Sequence, residues 1–353
     1  MKKNILVAPL NWGLGHATRC IPIIRGLINH NFNPILASDG AALEILRKEF
    51  PDLQILELPS YQIEYAKNGK NFKWKMIKNS PKMIAAIFEE KKIIKNWVSE
   101  YNLSGIISDN RLGIRSKKIP SVFITHQLNV LTGNTSWITT KLHQNIVRKF
   151  TECWVPDFKE KPNLSGKLGH LKEDSNLNLK YIGPLSRLEA KYSKEKYQLM
   201  VLLSGPEPQR TILQEKLIIE VAKFKGNVIF IKGIIEKNRK INQIDHVTYV
   251  NFMNSKDLET AFNESKMVLC RSGYTTIMDL AKLGKKAFFI PTPGQFEQEY
   301  LAKKLKQNGL FPFAKQDDFS IGNLFETDFY KGIQTPENNI DWKKQFEIFE
   351  NPS

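Results

Sequence analysis

Apolar runs of strand length alternate with longer stretches of helical character along the first half of the chain. The runs are Ile5 to Leu10, Asn33 to Ala37, Leu53 to Leu58, Gly105 to Ser108, Ser121 to Thr125 and Thr151 to Val155. Near-continuous apolar strands separated by crossover segments predict a parallel sheet covered on both faces. A second series repeats the pattern: Leu199 to Leu203, Asn227 to Ile231, Val247 to Val250, Met267 to Cys270 and Ala287 to Ile290, with helix-like segments such as Gln209 to Phe224 between them. The expectation is an α/β chain of two doubly wound domains.

Between the two series, Lys159 to Asn178 and Gly183 to Lys196 keep no sustained period and contain Gly166, Gly169, Gly183 and Pro184. Such punctuation marks a link. The predicted organisation is a Rossmann-like domain over 1–185, a linker over 186–196, a second Rossmann-like domain over 197–325, and a tail over 326–353 in which Ile340 to Phe349 forms a short helix. A length of 353 residues suffices for two separate cores.

Composition narrows the class without choosing a function. With 41% hydrophobic and 25% charged residues, the chain reads as globular and soluble or membrane-peripheral, not disordered. The run Ile5 to Leu10 after Lys2 and Lys3 is too short for a signal peptide and reads as a strand. Cys20, Cys153 and Cys270 are too widely spaced for a disulfide framework or a zinc site, so a reducing cytoplasm is the expected compartment. Lysine and arginine number 52 against 36 acidic residues, a net charge of +16 that favours anionic partners of some kind.

The first candidate chemistry lies just after the first strand, in Asn11-Trp12-Gly13-Leu14-Gly15-His16-Ala17-Thr18-Arg19, followed by the helix-like series Ile21, Ile24, Leu27 and Ile28. In a parallel sheet such a strand-loop-helix junction lies at the carboxyl edge, where ligands bind. There Gly13 and Gly15 let backbone amides approach oxygen atoms closely. His16 has the chemistry of a general base toward an acceptor hydroxyl, or of a donor to a sugar; helix capping is the plainer alternative. Asp109 and Arg111 follow the strand ending at Ser108 and are expected to point the same way, Asp109 orienting His16 or acting as the base itself. His126-Gln127-Leu128-Asn129 occupies the equivalent place after Ser121 to Thr125, with loop capping as the alternative role for His126.

A second junction occurs at Met267 to Leu280. Amides and hydroxyls of Ser272, Gly273, Thr275 and Thr276 at a helix start suit diphosphate oxygens, and Arg271 offers added positive charge. Asp279, one to two turns into that helix, suits a pair of ribose hydroxyls, unless it is merely a solvated helix acid. Beyond it, Phe289 to Tyr300 places a strand before a proline-glycine loop and the side chains Gln298 and Glu299.

Together, these two segments resemble the C-terminal domain of glycosyltransferase family 28, the MurG-like group, over about Leu199 to Leu310. The G-L-G-H-x-x-R motif is similar to that of nucleotide-sugar enzymes of the GT-B fold, including a UDP-sugar hydrolase of the pseudaminic-acid pathway. The resemblance implies a GT-B fold, two doubly wound Rossmann-like domains with the active site in the cleft between them. It also implies that Ser204 and Gly205 approach the diphosphate, Phe252 and Met253 border the base, Asp279 holds ribose, and Gln298 with Glu299 binds the donor sugar. The family's glycine-rich run appears here as Ser204-Gly205-Pro206-Glu207-Pro208, and its paired glutamine as Gln298-Glu299.

The activity expected from the resemblance is hexosyl transfer from an NDP-sugar, UDP-linked and of N-acetylhexosamine type, to an acceptor hydroxyl on a lipid-linked or cell-envelope glycan. Catalysis is assigned to His16, Asp109 and His126. No separate cofactor is expected, and no D-x-D metal motif is present, so the NDP-sugar enters as the donor substrate. Hydrolysis of the UDP-sugar, or a non-catalytic nucleotide-sugar binding subunit, are the alternatives. The nine lysines between Lys67 and Lys95, interleaved with Phe72, Trp74, Met76, Ile77, Met83, Ile84, Ile87 and Phe88, suit an anionic membrane surface. A packed helix with a solvated lysine face explains them equally well, and nucleic acid ranks below both.

Overall fold

The computed structural model describes residues 2–61, 72–171, 176–205, 207–234, 236, 238–333 and 340–350; the side chains of 72–80 and 134 are outside that description. The chain divides into two compact units. The first holds most of the residues up to Leu185 together with 337–353, and the second runs from Ser186 to Pro336.

In the first unit, β1 (Asn4–Pro9), β2 (Asn33–Ser38), β3 (Ile55–Glu57), β4 (Leu103–Asp109), β5 (Ser121–Ile124), β6 (Glu152–Val155) and β7 (Leu179–Tyr181) form one sheet. Its order is β3-β2-β1-β4-β5-β6-β7, and every pairing is parallel. Strand order reverses between β1 and β4, where Pro9 lies beside Asp109. At such a switch point the loops leaving two neighbouring strands diverge to opposite faces and open a crevice. The apolar character of β1, β4 and β5 is explained by burial on both faces: Ile5 to Ala8, Ile106, Ile107 and Val122 to Ile124 are fully enclosed.

The second unit repeats the plan with β8 (Tyr197–Leu202), β9 (Val228–Ile231), β10 (Ile241–Ile244), β11 (Val247–Val250), β12 (Ser265–Cys270) and β13 (Lys286–Phe289). The order is β10-β11-β9-β8-β12-β13, so its switch point lies between β8 and β12. Only β10 runs antiparallel among the described residues. It is an exposed edge strand with Ile241 and Ile244 in solvent, which is why no buried apolar run announces it. β7 escapes the same test because its three residues are only half-buried.

The tail ends in a helix, α9 (Trp342–Glu350), that belongs to the first unit and not to the domain it follows. Phe346 and Phe349 pack edge-on against Phe32, and both rings lie near Trp154. Two glycines make room for this helix: a β-carbon on Gly26 would lie 2.9 Å from the Trp342 ring, and one on Gly105 2.3 Å from the Phe349 ring.

The basic, aromatic stretch forms part of α3 (Phe72–Glu100). Residues 67–71 and the side chains of Phe72, Trp74, Met76 and Ile77 lie outside the described residues. Farther along, Met83 and Ile87 pack on a small cluster of Leu10, Tyr61 and Ala86, while Ile84, Phe88, Lys82, Lys91, Lys92 and Lys95 face solvent. Among the described residues, no helix is long and apolar enough to cross a membrane.

Candidate functional site

The switch point of the first sheet gathers His16, Arg19, Asp109 and His126. β1 ends at Pro9, the loop turns through Gly13 at φ +73°, and α1 (Gly15–Asn29) begins at once. No atom lies within 4 Å of the position a β-carbon on Gly13 would take, so the loop is open there. His16 and Arg19 stand three positions apart on α1, on one face of the helix. Asp109, the last residue of β4, meets that face: His16 Nδ1 lies 2.8 Å from its Oδ1, and Arg19 Nε donates to its Oδ2 at 2.5 Å. A second Arg19 nitrogen also donates to Oδ1, so the guanidinium grips the carboxylate at both oxygens. Another Arg19 nitrogen lies 3.1 Å from His126 Nδ1.

Asp109 and Arg19 are buried, while the His16 side chain keeps 15% of its surface accessible. Burial alone would raise the Asp109 pKa, but the adjoining Arg19 and His16 override it and hold the carboxyl well below the usual carboxylate range. The same His16 Nδ1 also lies 2.9 Å from an Arg19 nitrogen, so this edge of the ring meets both a carboxylate acceptor and a guanidinium donor.

Arg111 does not share this cluster. It turns inward, donating to Pro9 O at 3.1 Å, Pro59 O at 3.0 Å and Glu90 Oε1 at 2.8 Å, and pairs with Asp39. Tyr61 caps the same Glu90 at 2.8 Å. The expectation that Arg111 points outward with Asp109 is corrected: it braces the edge of the sheet beneath the site. Asn129 is likewise engaged, its side-chain amide donating to Lys167 O at 2.6 Å.

In the second unit the expected donor-binding residues lie along the carboxyl edge of one sheet. Ser204 and Gly205 follow β8, and Gly205 sits at φ +100° with no atom within 4 Å of its would-be β-carbon. The half-buried Phe252 and Met253 follow β11. Beside β8, β12 ends at Cys270, and Gly273 is the N-cap of α7 (Tyr274–Leu283), again with open space where a side chain would stand. Thr275 and Thr276 lie in the first turn, where the helix dipole favours an anion.

Four side chains in this half have duties the sequence did not disclose. Arg271 is buried and donates to the carbonyls of Ile290 and Pro291 at 3.1 Å and of Gln209 at 3.0 Å, and to Gln316 Oε1 at 2.7 Å. Desolvation lowers its pKa to about 9. It ties the start of α5 (Gln209–Val221) to the loop after β13, which corrects the expectation that its charge is aimed at a diphosphate. The Ser272 hydroxyl donates to Gln298 O at 2.8 Å, so its one O–H is not free to meet a diphosphate oxygen. Gln298 Oε1 accepts from Thr292 N, and Glu299 Oε1 from Gly294 N, both at 2.9 Å. These two side chains, on the first turn of α8 (Phe296–Gln307), set the shape of the proline-glycine loop.

Asp279, on the sixth residue of α7, is buried. Its Oδ1 accepts from the Ser186 hydroxyl at 2.6 Å, and burial raises its pKa to about 6. It is therefore no solvated helix acid. Arg19, the arginine of the G-L-G-H-x-x-R motif, receives no role from the sequence; the structure places it on Asp109, and its spacing from His16 is the signal for that.

Residues 209–347 match the model of the glycosyltransferase family 28 C-terminal domain. A UDP-N-acetylglucosamine–N-acetylmuramyl-(pentapeptide) pyrophosphoryl-undecaprenol N-acetylglucosamine transferase of Haemophilus ducreyi is 28% identical over 258 residues, 70% of this chain and 69% of the relative. The enzyme of the same name from Glaesserella parasuis is 24% identical over 92% of this chain and 89% of its own. Among solved structures, Acinetobacter baumannii MurG aligns over 99% of both chains at 13% identity with a TM-score of 0.55. The kitacinnamycin glycosyltransferase aligns at 12% identity over 92% of this chain and 88% of its own, with a TM-score of 0.61.

Two sheets of this order, parallel except for β10 among the described residues and each with a glycine loop at its switch point, share the GT-B fold of these solved structures, and the domain match with the two relatives marks an NDP-sugar-dependent, hexosyltransferase-type glycosyltransferase. Residues 209–347 of its second half are similar to the C-terminal domain of glycosyltransferase family 28, and the chain is similar to the two transferases above.

Proposed function

We propose that the protein transfers an N-acetylhexosamine from a UDP-sugar to a hydroxyl of a lipid-linked cell-envelope glycan. The observation that carries the acceptor half is the His16–Asp109 contact at 2.8 Å. His16 Nε2 takes the proton of the acceptor hydroxyl as its oxygen attacks the anomeric carbon. Asp109 fixes the ring and its tautomer, and Arg19 holds Asp109 in place. His126, joined to Arg19, lines the same pocket of charge.

The second unit holds the donor. Backbone groups at Ser204, Gly205 and Gly273 and the first turn of α7, with Thr275 and Thr276, receive the diphosphate and stabilise its growing charge as the sugar leaves. Phe252 and Met253 flank the base. Asp279 accepts from the ribose hydroxyls, and Gln298 and Glu299 shape the loop over the sugar. The nucleotide sugar is consumed as substrate, with no further cofactor.

The choice of a UDP-linked N-acetylhexosamine and a lipid-linked acceptor rests on the names of the relatives above. Their activity is transfer, which favours an acceptor hydroxyl over water. Such an acceptor is met at the inner face of the plasma membrane, where the excess of lysine and arginine favours anionic lipid.

The test is a thermal-shift screen of NDP-sugars followed by product analysis with and without a polyprenyl-diphosphate-linked acceptor. Stabilisation by UDP-N-acetylhexosamines and acceptor-dependent release of UDP are expected. Equal release without acceptor would establish hydrolysis instead.

A further inference from the structure

One carboxylate outside the site is wrapped by donors from the single loop that follows it. Asp157 follows β6 and is fully buried. Its Oδ1 accepts from the amides of Phe158 and Leu164 at 2.8 Å, and its Oδ2 from the amide of Ser165 at 2.8 Å. The Ser165 hydroxyl donates to the same oxygen, and His170 Nε2 lies 3.3 Å from it. The segment 158–170 is thus wound around one anion. Burial would raise this carboxyl's pKa, but the His170, Ser165 and amide donors outweigh burial and lower it.

The outer side of that loop bears on the segment that carries His126. Leu168 O accepts the amide of Asn129 at 2.9 Å, and Lys167 O and His170 O accept its side-chain amide at 2.6 and 3.4 Å. Gly169 is pressed so close that a β-carbon there would lie 3.1 Å from His126 O and 2.4 Å from Ser165 Oγ. The Tyr181 hydroxyl donates to Gly169 O at 3.0 Å, and the Tyr181 ring stacks on His170. His126 in turn stands 3.1 Å from the Arg19 guanidinium that grips Asp109.

We infer that Asp157 is a positioning residue for transfer: by winding the 158–170 loop it sets the height of His126 against Arg19, and through Arg19 the aim of Asp109 and His16. The inference rests on the acceptor-side reading above. It adds Asp157, Ser165 and Gly169 to the residues on which the rate depends, although none of them is near His16 in sequence. A neutral amide at 157 presents one acceptor oxygen and an NH2 group toward donors, so the loop must open on one side.

The experiment compares Asp157→Asn and Gly169→Ala with wild type, scoring kcat per folded molecule, KM for UDP-N-acetylglucosamine, thermal midpoint, and the imidazole nitrogen shifts of His16 and His126 by NMR. The second variant leaves the Asp157 carboxylate in place and pushes directly on His126 O, so it serves if the first fails to fold. Expected are a fall of about tenfold or more in kcat, as a small misplacement of reacting groups produces, a donor KM within about twofold of wild type, and altered His126 nitrogen shifts. A lowered thermal midpoint with unchanged kcat and unchanged histidine shifts in both variants would overturn the inference. So would a rise in donor KM alone. If wild type proves not to be a transferase, the histidine shifts still decide whether Asp157 positions His126, so the two failures are distinguishable.

Discussion

The Ser186 hydroxyl donates to Asp279 Oδ1 at 2.6 Å, and among the described residues this hydrogen bond offsets part of the burial of the carboxylate. Burial raises the Asp279 pKa from 3.8 to about 6, with the Ser186 bond and the Arg187 charge only partly opposing it. The folded pKa thus exceeds the unfolded one. Stability is fully present below about pH 4 and is lost as pH rises through about 6, by about 3 kcal/mol. Asp279→Asn keeps an acceptor for Ser186 without the charge. It should raise the thermal midpoint at pH 7.5 by several degrees, with the gain vanishing near pH 4. The same variant should bind UDP at least about tenfold more weakly, since a charge-assisted pair of ribose bonds is lost. Melting curves across pH, paired with UDP titration, check both; a stabilised variant with unchanged UDP affinity would remove Asp279 from the donor site.

Asp109 carries the opposite sign. Its folded pKa lies below the unfolded value, so its stabilisation is present above about pH 4 and is lost only as pH falls into strong acid. Asp109→Asn leaves the Arg19 charge buried without its counter-ion, which costs about 3 to 5 kcal/mol. It also permits the wrong tautomer of His16, for which a loss of about 10⁴ in kcat has precedent in a histidine-carboxylate pair of another fold. Denaturant unfolding and single-turnover rates on the folded fraction separate the two effects. His16→Ala should match the loss of rate with little loss of stability, because His16 stays partly open to solvent.

The strands that hold the sites were legible because burial on both faces writes itself as an unbroken apolar run, as in Ile5 to Leu10 and Met267 to Cys270. β7 and β10 were not legible, since half-buried and edge strands carry no such run. His16 and Asp109 could be named from their places after strands, because the carboxyl edge of a parallel sheet is where such residues converge. What could not be read was direction: Arg111 and Arg271 occupy equally favourable places in sequence and turn into the fold to satisfy carbonyl oxygens. Long-range packing was also hidden. Nothing near Gly26 or Gly105 in sequence says that Trp342 and Phe349 will lie upon them.

That packing is testable at Gly105. A methyl group there would lie 2.3 Å from a Phe349 ring carbon and 3.0 Å from the Ile5 side chain, in a strand at the centre of the sheet. Gly105→Ala should therefore cost about 1 to 3 kcal/mol through overpacking and lift α9 from its seat. Faster proteolysis within residues 337–353, seen by mass spectrometry, would register the lifted helix. A variant that unfolds at the wild-type denaturant midpoint would show that the helix adjusts freely.

The remaining expectation concerns the membrane. On α4 (Ser136–Val147), Trp137 is 71% exposed and Leu142 59%, with Ile138 beside them, while Lys141, Arg148 and Lys149 are also exposed. Large apolar side chains flanked by lysine and arginine combine insertion with attraction to anionic headgroups, about 1 kcal/mol for each basic residue near the surface. If the acceptor is lipid-linked, this helix face is a means of reaching it. Vesicles of phosphatidylglycerol should bind the protein more tightly than vesicles of phosphatidylcholine, and 0.5 M salt should weaken the difference, as screening within a Debye length of about 4 Å requires. Trp137→Ser combined with Leu142→Ser should reduce the sedimented fraction severalfold while leaving turnover of a water-soluble acceptor analogue unchanged, because neither side chain belongs to the His16–Asp109 cluster. Undiminished sedimentation of the double variant would move the membrane contact away from α4, with the exposed Ile84 and Phe88 of α3 as the next surface to alter.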